Sequence, residues 1–179
     1  MKRLLLIAAC ALSVTLTRAQ EKRVLVAYFS CTGNTETVAK VIAGATGAEL
    51  YRIQPQKAYS AADLDWRDKQ SRSSQEMNDP ASRPALADRN ARAETYDVIF
   101  LGYPIWWNRN PSIIDTFLES YDLSGKTVIP FATSGSSSIQ NSLKVLKEQY
   151  GKIKWQTGRL FNGNASDAAK WAKEVLNAR

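Results

Sequence analysis

Six consecutive residues, Ser30-Cys31-Thr32-Gly33-Asn34-Thr35, gather three hydroxyls, a thiol, an amide and a glycine. They follow the apolar run Val24 to Phe29 and precede a stretch whose apolar residues fall at helical spacing. Where a strand turns tightly into a helix, the first N–H groups of the helix have no internal partner, and the positive end of the helix dipole lies beside them. An anion fits such a place. Gly33 lets the backbone come close, and Ser30, Thr32 and Thr35 can each donate a hydrogen bond to a phosphate oxygen. No lysine or arginine lies in the six residues. A phosphate held by neutral donors keeps its charge, which suits a permanently seated phosphoester rather than one to be cleaved. The plain alternative is a capped turn, for which one Ser, Thr or Asn suffices. Three hydroxyls with a glycine exceed that need, and phosphate binding is the expectation.

Other phosphate chemistry is excluded by the letters. The Gly-x-x-x-x-Gly-Lys-Ser/Thr loop of nucleoside triphosphate binding and the Gly-x-Gly-x-x-Gly of a dinucleotide fold are both missing from this turn. A cysteine phosphatase would use Cys31 with an arginine six residues on, but position 37 is Thr37. The chain has no histidine, so Ser-His and Cys-His catalysis and every imidazole metal site are ruled out. Cys31 at a helix start is open to two readings: a thiol of lowered pKa that oxidises readily, and an inert, partly buried one, which is preferred.

Two further loops carry chemistry. Gly102-Tyr103-Pro104-Ile105-Trp106-Trp107-Asn108 follows one apolar run, and Thr133-Ser134-Gly135-Ser136-Ser137-Ser138 follows another. Neighbouring tryptophans on a loop point in different directions, so one belongs to the core while the other is free to stack on a ring system.

Elements must bring these loops together. Strand-like runs at 24–29, 48–53, 97–102, 126–132 and 153–157 alternate with helical stripes: Val38/Val41/Ile42/Ala45, Ile113/Ile114/Phe117/Leu118/Tyr121, Ile139/Leu143/Leu146/Tyr150 and Ala168/Trp171/Ala172/Val175/Leu176. That alternation predicts one α/β domain built on a parallel sheet. Runs that are apolar throughout, such as Val24 to Phe29, suit strands covered on both faces. In a doubly wound sheet of order 2-1-3-4-5, the carboxyl ends of strands one, three and four meet at the switch point where ligands bind; flavodoxin with its FMN is the standing example of that rule. Asn110-Pro111 reads as a cap and first-turn proline for the helix at Ser112, and Gly47 and Gly151 as helix stops. The connection 54–94 is long and polar and holds Trp66 and Met77; a short helix is expected at 60–69.

With these motifs in hand, the chain resembles the flavodoxin-like FMN proteins. Ser30 to Thr35 matches the family's hydroxyl-x-Thr-Gly-x-Thr loop, Gly102 to Trp107 is similar to the Gly-x-Pro-Ile-Trp-Trp flavin loop of a bacterial subgroup, and Pro130 to Gly135 is similar to its third loop. The likeness extends from about Arg23 to the C-terminus. It implies a flavodoxin-like three-layer sandwich: a five-stranded parallel sheet of order 2-1-3-4-5 with helices on both faces. It also implies FMN as cofactor, with Ser30, Cys31, Thr32, Gly33, Asn34 and Thr35 at the phosphate and Pro104, Ile105, Trp106, Trp107, Asn108, Thr133, Ser134, Gly135 and Ser136 around the isoalloxazine. Asn108 stands where a glycine is often found, and Ser136-Ser137-Ser138 replaces a more glycine-rich loop.

Two functions follow from the resemblance. An electron carrier needs no catalytic acid or base, and none stands out here, so electron transfer with a redox partner protein ranks first. The alternative is an FMN-dependent NAD(P)H oxidoreductase of the quinone reductase type, with Trp66, Tyr103 and Trp106 or Trp107 walling a substrate space. A non-redox module would have a degraded phosphate loop, and this one is intact. A nucleic-acid partner is not expected, since no Lys/Arg block with interleaved aromatics occurs.

Residues 1–19 read as a secretory signal: basic Lys2-Arg3, an apolar stretch from Leu4 to Leu16 and Thr17-Arg18-Ala19 before Gln20. Cleavage after Ala19 is expected, leaving a domain at 20–179, exported to the periplasm or beyond; lipoprotein anchoring at Cys10 ranks lower. The segment is short for a stable membrane span, which needs about 20 apolar residues. Its loss takes 24 basic residues to 21 against 17 acidic ones, and the formal charge from +7 to +4. Cys31 is then the sole cysteine, which precludes an intramolecular disulfide.

Overall fold

The computed structural model describes residues 22–162 and 165–178; the expected leader, its cleavage point and Cys10 lie outside the described residues. The element order is β1 (Val24–Tyr28), α1 (Asn34–Thr46), β2 (Glu49–Arg52), α2 (Arg72–Asn78), β3 (Val98–Pro104), α3 (Ser112–Glu119), β4 (Thr127–Thr133), α4 (Ile139–Gln149), β5 (Lys154–Trp155), β6 (Arg159–Leu160) and α5 (Ser166–Asn177). The strands pair in parallel in the order β2-β1-β3-β4-β5, as expected, and β6 also pairs with β4. Parallel neighbours require crossovers, and the helices supply them over both faces.

Period-two alternation within strands that are apolar throughout divides the core into two layers. Leu25, Ala27 and Phe29 of the first run, with Ile99 and Leu101 of β3, pack under α3 and α4 through Ile113, Ile114, Phe117, Ile139 and Leu146. Val26, Tyr28, Phe100 and Phe131 face the other way and meet α1 and α5 through Val38, Ala39, Ile42, Ala168, Trp171 and Ala172. The buried stripe of α1 is thus turned slightly from its expected course, with Ala39 and Ala43 buried and Val41 and Ala45 half-buried.

The fifth sheet position is split. Trp155 pairs with Val128 and Arg159 with Phe131, so four residue steps on one side pass three on the other, as in a bulge. Gly158 lies in the gap, where a Cβ would stand 2.8 Å from the Pro130 carbonyl oxygen. Gly102 has a similar cause: its partner in the register, Phe131, lays its ring where a Cβ would be, 2.2 Å from Cζ.

Three local expectations are corrected. The segment 60–69 holds only a short 3-10 turn, Ala62–Leu64, and the helix of the connection is α2. Ser60 and Asp63 satisfy one another's N–H groups, and the carboxylates of Asp65 and Asp68 accept from the Arg67 and Gln70 amides, local bonds that compete with helix growth. Ser71, whose hydroxyl accepts from the Ser74 amide, is the true cap. At α3 the N-cap is Pro111 itself; the Asn110 side chain donates to the Asp115 carboxylate instead of capping. Gly47 ends α1 in the left-handed conformation, whereas α4 ends on Tyr150, one residue before Gly151. No helix among the described residues is long and apolar enough to cross a membrane.

Candidate functional site

The register sets the site. Tyr28 of β1 lies beside Gly102 of β3, and Pro104 at the end of β3 lies beside Thr133 at the end of β4, so the loops leaving β1, β3 and β4 rise from one edge of the sheet.

In the first loop, Gly33 is the N-cap of α1 with φ +87°, a conformation that glycine adopts freely, and no side-chain cap bond forms. The first intrahelical bond runs from the Thr37 amide to the Gly33 carbonyl, so the amides of Asn34, Thr35 and Glu36 precede the ladder. The capped-turn reading therefore does not account for the polar residues. Ser30 is buried and its hydroxyl accepts from the Gly33 amide at 3.1 Å, which shapes the turn. Thr35 is buried too, its hydroxyl 2.8 Å from that of Thr133. Thr32 and Asn34 are exposed. Half-buried Cys31 has its thiol pushed up to about 11 by burial, against the opposing pull of Arg52 and Arg72, so the lowered-pKa reading gives way to the inert one.

The aromatic loop is a two-residue hairpin. Trp106 and Arg109 exchange backbone bonds of 3.0 and 2.9 Å, and the residues between them, Trp107 and Asn108, sit at φ +43° and +64°. Positive φ at both central positions is the type I′ turn, usually given to Asn-Gly, so tryptophan here is strained. The turn is pinned at both ends. Asn141 donates to the Asn108 carbonyl at 2.9 Å, and Arg109 pairs at 3.2 Å with Asp115, a fully buried carboxylate that also accepts from Asn110 and Tyr150. Burial pushes the Asp115 carboxyl up, while Asn110, Arg109 and Tyr150 pull it down. The hairpin turns the two tryptophans apart. Trp106 packs edge-on against Phe29 and Tyr59, with centroids 5.7 and 5.4 Å away, whereas Trp107 is 46 % exposed. One indole is packed and one is free, as expected.

The third loop is joined to the others by backbone. The Ile105 amide donates to the Thr133 carbonyl at 2.9 Å. The Ser134 hydroxyl accepts from the Ser136 and Ser137 amides, and the Ser134 amide donates to the Asn162 side chain at 2.9 Å.

Between the loops lies a cleft of about 410 Å³ lined by Thr32, Asn34, Pro104, Ile105, Trp106, Thr133, Ser134 and Gly135 from the expected set. Thr37, Val38, Phe161, Asn162 and Ala165 complete it. Of these, Asn162 was detectable in principle, because a polar loop after the fifth strand must open at the same sheet edge. Among the described residues, no Asp, Glu, Lys, Arg, Tyr or Cys lines this cleft. Trp107 and Ser136 belong to an adjoining cleft, and Ser30 and Cys31 line a third together with Arg52, Ile53 and Tyr59. Tyr103, expected in a substrate wall, is fully buried with its phenol bonded to Ser142, and it is withdrawn from that role. The long connection is tied to the site through Tyr59, whose phenol donates to Glu76 and whose ring lies 4.0 Å under the Arg72 guanidinium.

The family model described as Flavodoxin matches residues 23–175. A solved structure from Bacteroides uniformis, provisionally described as a flavoprotein, is 55 % identical with a TM-score of 0.82, over 85 % of this chain and 98 % of that one. A second, from Bacteroides eggerthii and described in the same way, is 50 % identical with a TM-score of 0.82, over 88 % and 97 %. A flavoprotein of Lactobacillus acidophilus, solved in complex with FMN, shares the fold at 21 % identity and a TM-score of 0.61, over 84 % and 99 %. The search of curated proteins found no match.

Proposed function

Because the chain belongs to the flavodoxin family, we infer that it binds FMN and works as an electron-transfer protein. The observation that carries this reading is the uncharged cleft at the carboxyl ends of β1, β3 and β4, where an uncapped helix start meets an indole. The residues present fit the cofactor. The amides of Asn34, Thr35 and Glu36 and the hydroxyl of Thr32 would hold the phosphate, Gly33 presents backbone without a Cβ, and Ile105, Trp106, Ser134 and Gly135 would border the ring. FMN supplies the redox chemistry when bound. The chain binds it, orients it and surrounds it with groups that do not titrate. Among the described residues the cleft is lined by no acid or base, which is in keeping with transfer of electrons rather than acid–base chemistry on a substrate.

The test is anaerobic. FMN-loaded protein mixed with NAD(P)H alone is expected to keep its visible absorption, and to lose it when a flavodoxin reductase is added. Rapid bleaching by NAD(P)H alone would replace the carrier by an NAD(P)H oxidoreductase. A protein that stays colourless with excess FMN, and leaves FMN fluorescence unquenched, would refute cofactor binding itself.

A further inference from the structure

Three aromatic rings meet behind the cofactor cleft. Trp106 lines the cleft and touches Phe29 and Tyr59 edge-on, while Phe29 and Tyr59 lie 5.8 Å apart, also edge-on. An indole or a phenol gives up one electron far more readily than a plain benzene ring. Among the described ring contacts, Tyr59 is therefore the one oxidisable neighbour of Trp106.

The surroundings of Tyr59 go beyond what packing requires, since phenylalanine would fill the same space. Its phenol donates to one carboxylate oxygen of Glu76, and the other oxygen takes the Arg72 Nε at 2.6 Å. The acceptor is held in place: the Glu76 side chain is 11 % exposed, Arg72 also donates to the Lys57 carbonyl at 2.6 Å, and the Ser112 hydroxyl donates to the Glu76 carbonyl at 3.1 Å. The same guanidinium lies 4.0 Å from the centre of the Tyr59 ring. A cation over a ring face favours the neutral phenol and opposes positive charge on it. An electron can leave this ring at low cost only if a proton leaves with it, and the phenolic proton already points at a carboxylate. Burial and the bond to Glu76 push the phenol pKa up, so the proton stays on oxygen until the ring is oxidised.

We propose that Tyr59 is a redox-active tyrosine: when a one-electron oxidant in the cofactor cleft takes an electron from Trp106, Tyr59 replaces it and passes its phenolic proton to Glu76. The proposal rests on the FMN reading, with photoexcited oxidised FMN as the oxidant. The flavin gains one electron, which Trp106 loses and then recovers from Tyr59. The O–H bond of Tyr59 breaks and an O–H bond forms on Glu76, leaving a neutral phenoxyl radical, a neutral carboxyl group and a flavin carrying one more negative charge. Return of the electron from the flavin and of the proton from Glu76 restores the starting state. The competing role is a fastening only, in which Arg72, Glu76 and Tyr59 tie α2 to the aromatic cluster and exchange no electron.

The experiment follows FMN-loaded protein by transient absorption after a blue flash, in H2O and in D2O, for wild type, Tyr59→Phe and Glu76→Gln. In wild type the broad band of an indole radical is expected first, giving way to the narrow band of a tyrosyl radical, with the second step slower in D2O. Tyr59→Phe keeps the ring and should lose the tyrosyl band, so that the indole radical persists until the flavin returns its electron. Glu76→Gln, which replaces the proton acceptor by an amide, should slow or abolish the tyrosyl step in the same way. FMN affinity should be unchanged in both variants, and the solvent comparison in wild type needs no variant to fold. A wild type that shows no tyrosyl band, or a tyrosyl band that survives Tyr59→Phe, overturns the proposal. Equal rates in H2O and D2O together with an unchanged rate in Glu76→Gln overturn the proton transfer and leave the fastening role. Wild-type protein that takes up no FMN fails the earlier reading, is recognised as colourless before any flash, and removes the oxidant on which this proposal rests.

Discussion

Thr32 and Thr35 look equivalent in the sequence, and valine substitution at each should separate them. Thr32 is exposed on the cleft, so Thr32→Val removes a donor to a charged oxygen without disturbing the fold. A hydrogen bond to a charged group contributes about 1.5–3 kcal/mol, which predicts FMN affinity lower by about 10- to 150-fold, with apoprotein stability unchanged. Thr35→Val acts on the fold first. It leaves the Thr133 hydroxyl, 9 % exposed, without its 2.8 Å partner, and an orphaned buried hydroxyl costs about 1–3 kcal/mol. Removing both partners is close to neutral in the same accounting, so Thr35→Val with Thr133→Val should regain most of the lost stability. Urea denaturation of the apoproteins reads the stability, and quenching of FMN fluorescence reads the affinity. Unchanged FMN binding by Thr32→Val would refute the donor assignment, and a double variant no more stable than Thr35→Val would refute the coupling of the two hydroxyls.

Gly102→Ala places a methyl where the Phe131 ring lies, and should cost about 1–3 kcal/mol in urea denaturation, with partial recovery on adding Phe131→Leu. Asn108→Val puts a β-branched residue at φ +64° and should cost about 1–2 kcal/mol, whereas Asn108→Gly should lie close to wild type in the same assay. With a pKa of about 11 against the ordinary 9.0, Cys31 is about one part in a thousand thiolate at pH 8. Iodoacetamide should modify it about a hundredfold more slowly than an unperturbed thiol, with the rate rising about tenfold per pH unit toward pH 11, as followed by mass spectrometry. We propose that the protein is exported and that intact-mass measurement of secreted material will show a chain beginning at Gln20.

Much of the fold was legible because its signals are local. Val24 to Phe29 and Val98 to Leu101 announce strands buried on both faces, since a parallel strand covered by helices on each side reads as an unbroken apolar run. Stripes such as Ile113, Ile114, Phe117 and Leu118 announce their helix for the same short-range reason. The connection 54–94 was the least legible. Its Ser and Asp side chains bond backbone within a turn or two, and whether such bonds start a helix or stop one is decided by a few local hydrogen bonds that composition does not reveal.

For the site, the sequence alone determined which residue types gather at the carboxyl ends of three strands, and with them the class of ligand, because hydroxyls, a glycine and a helix start within six residues are a local fact. Only the tertiary structure decided how each group is employed. It turned Ser30 inward onto the Gly33 amide, joined Thr35 to Thr133 across 98 positions, sealed Tyr103 beneath Ser142, and sent Trp106 into the aromatic cluster while leaving Trp107 in water. A side chain's role depends on what stands within hydrogen-bond or packing distance of it, and those neighbours are chosen by strand register and turn geometry rather than by proximity along the chain.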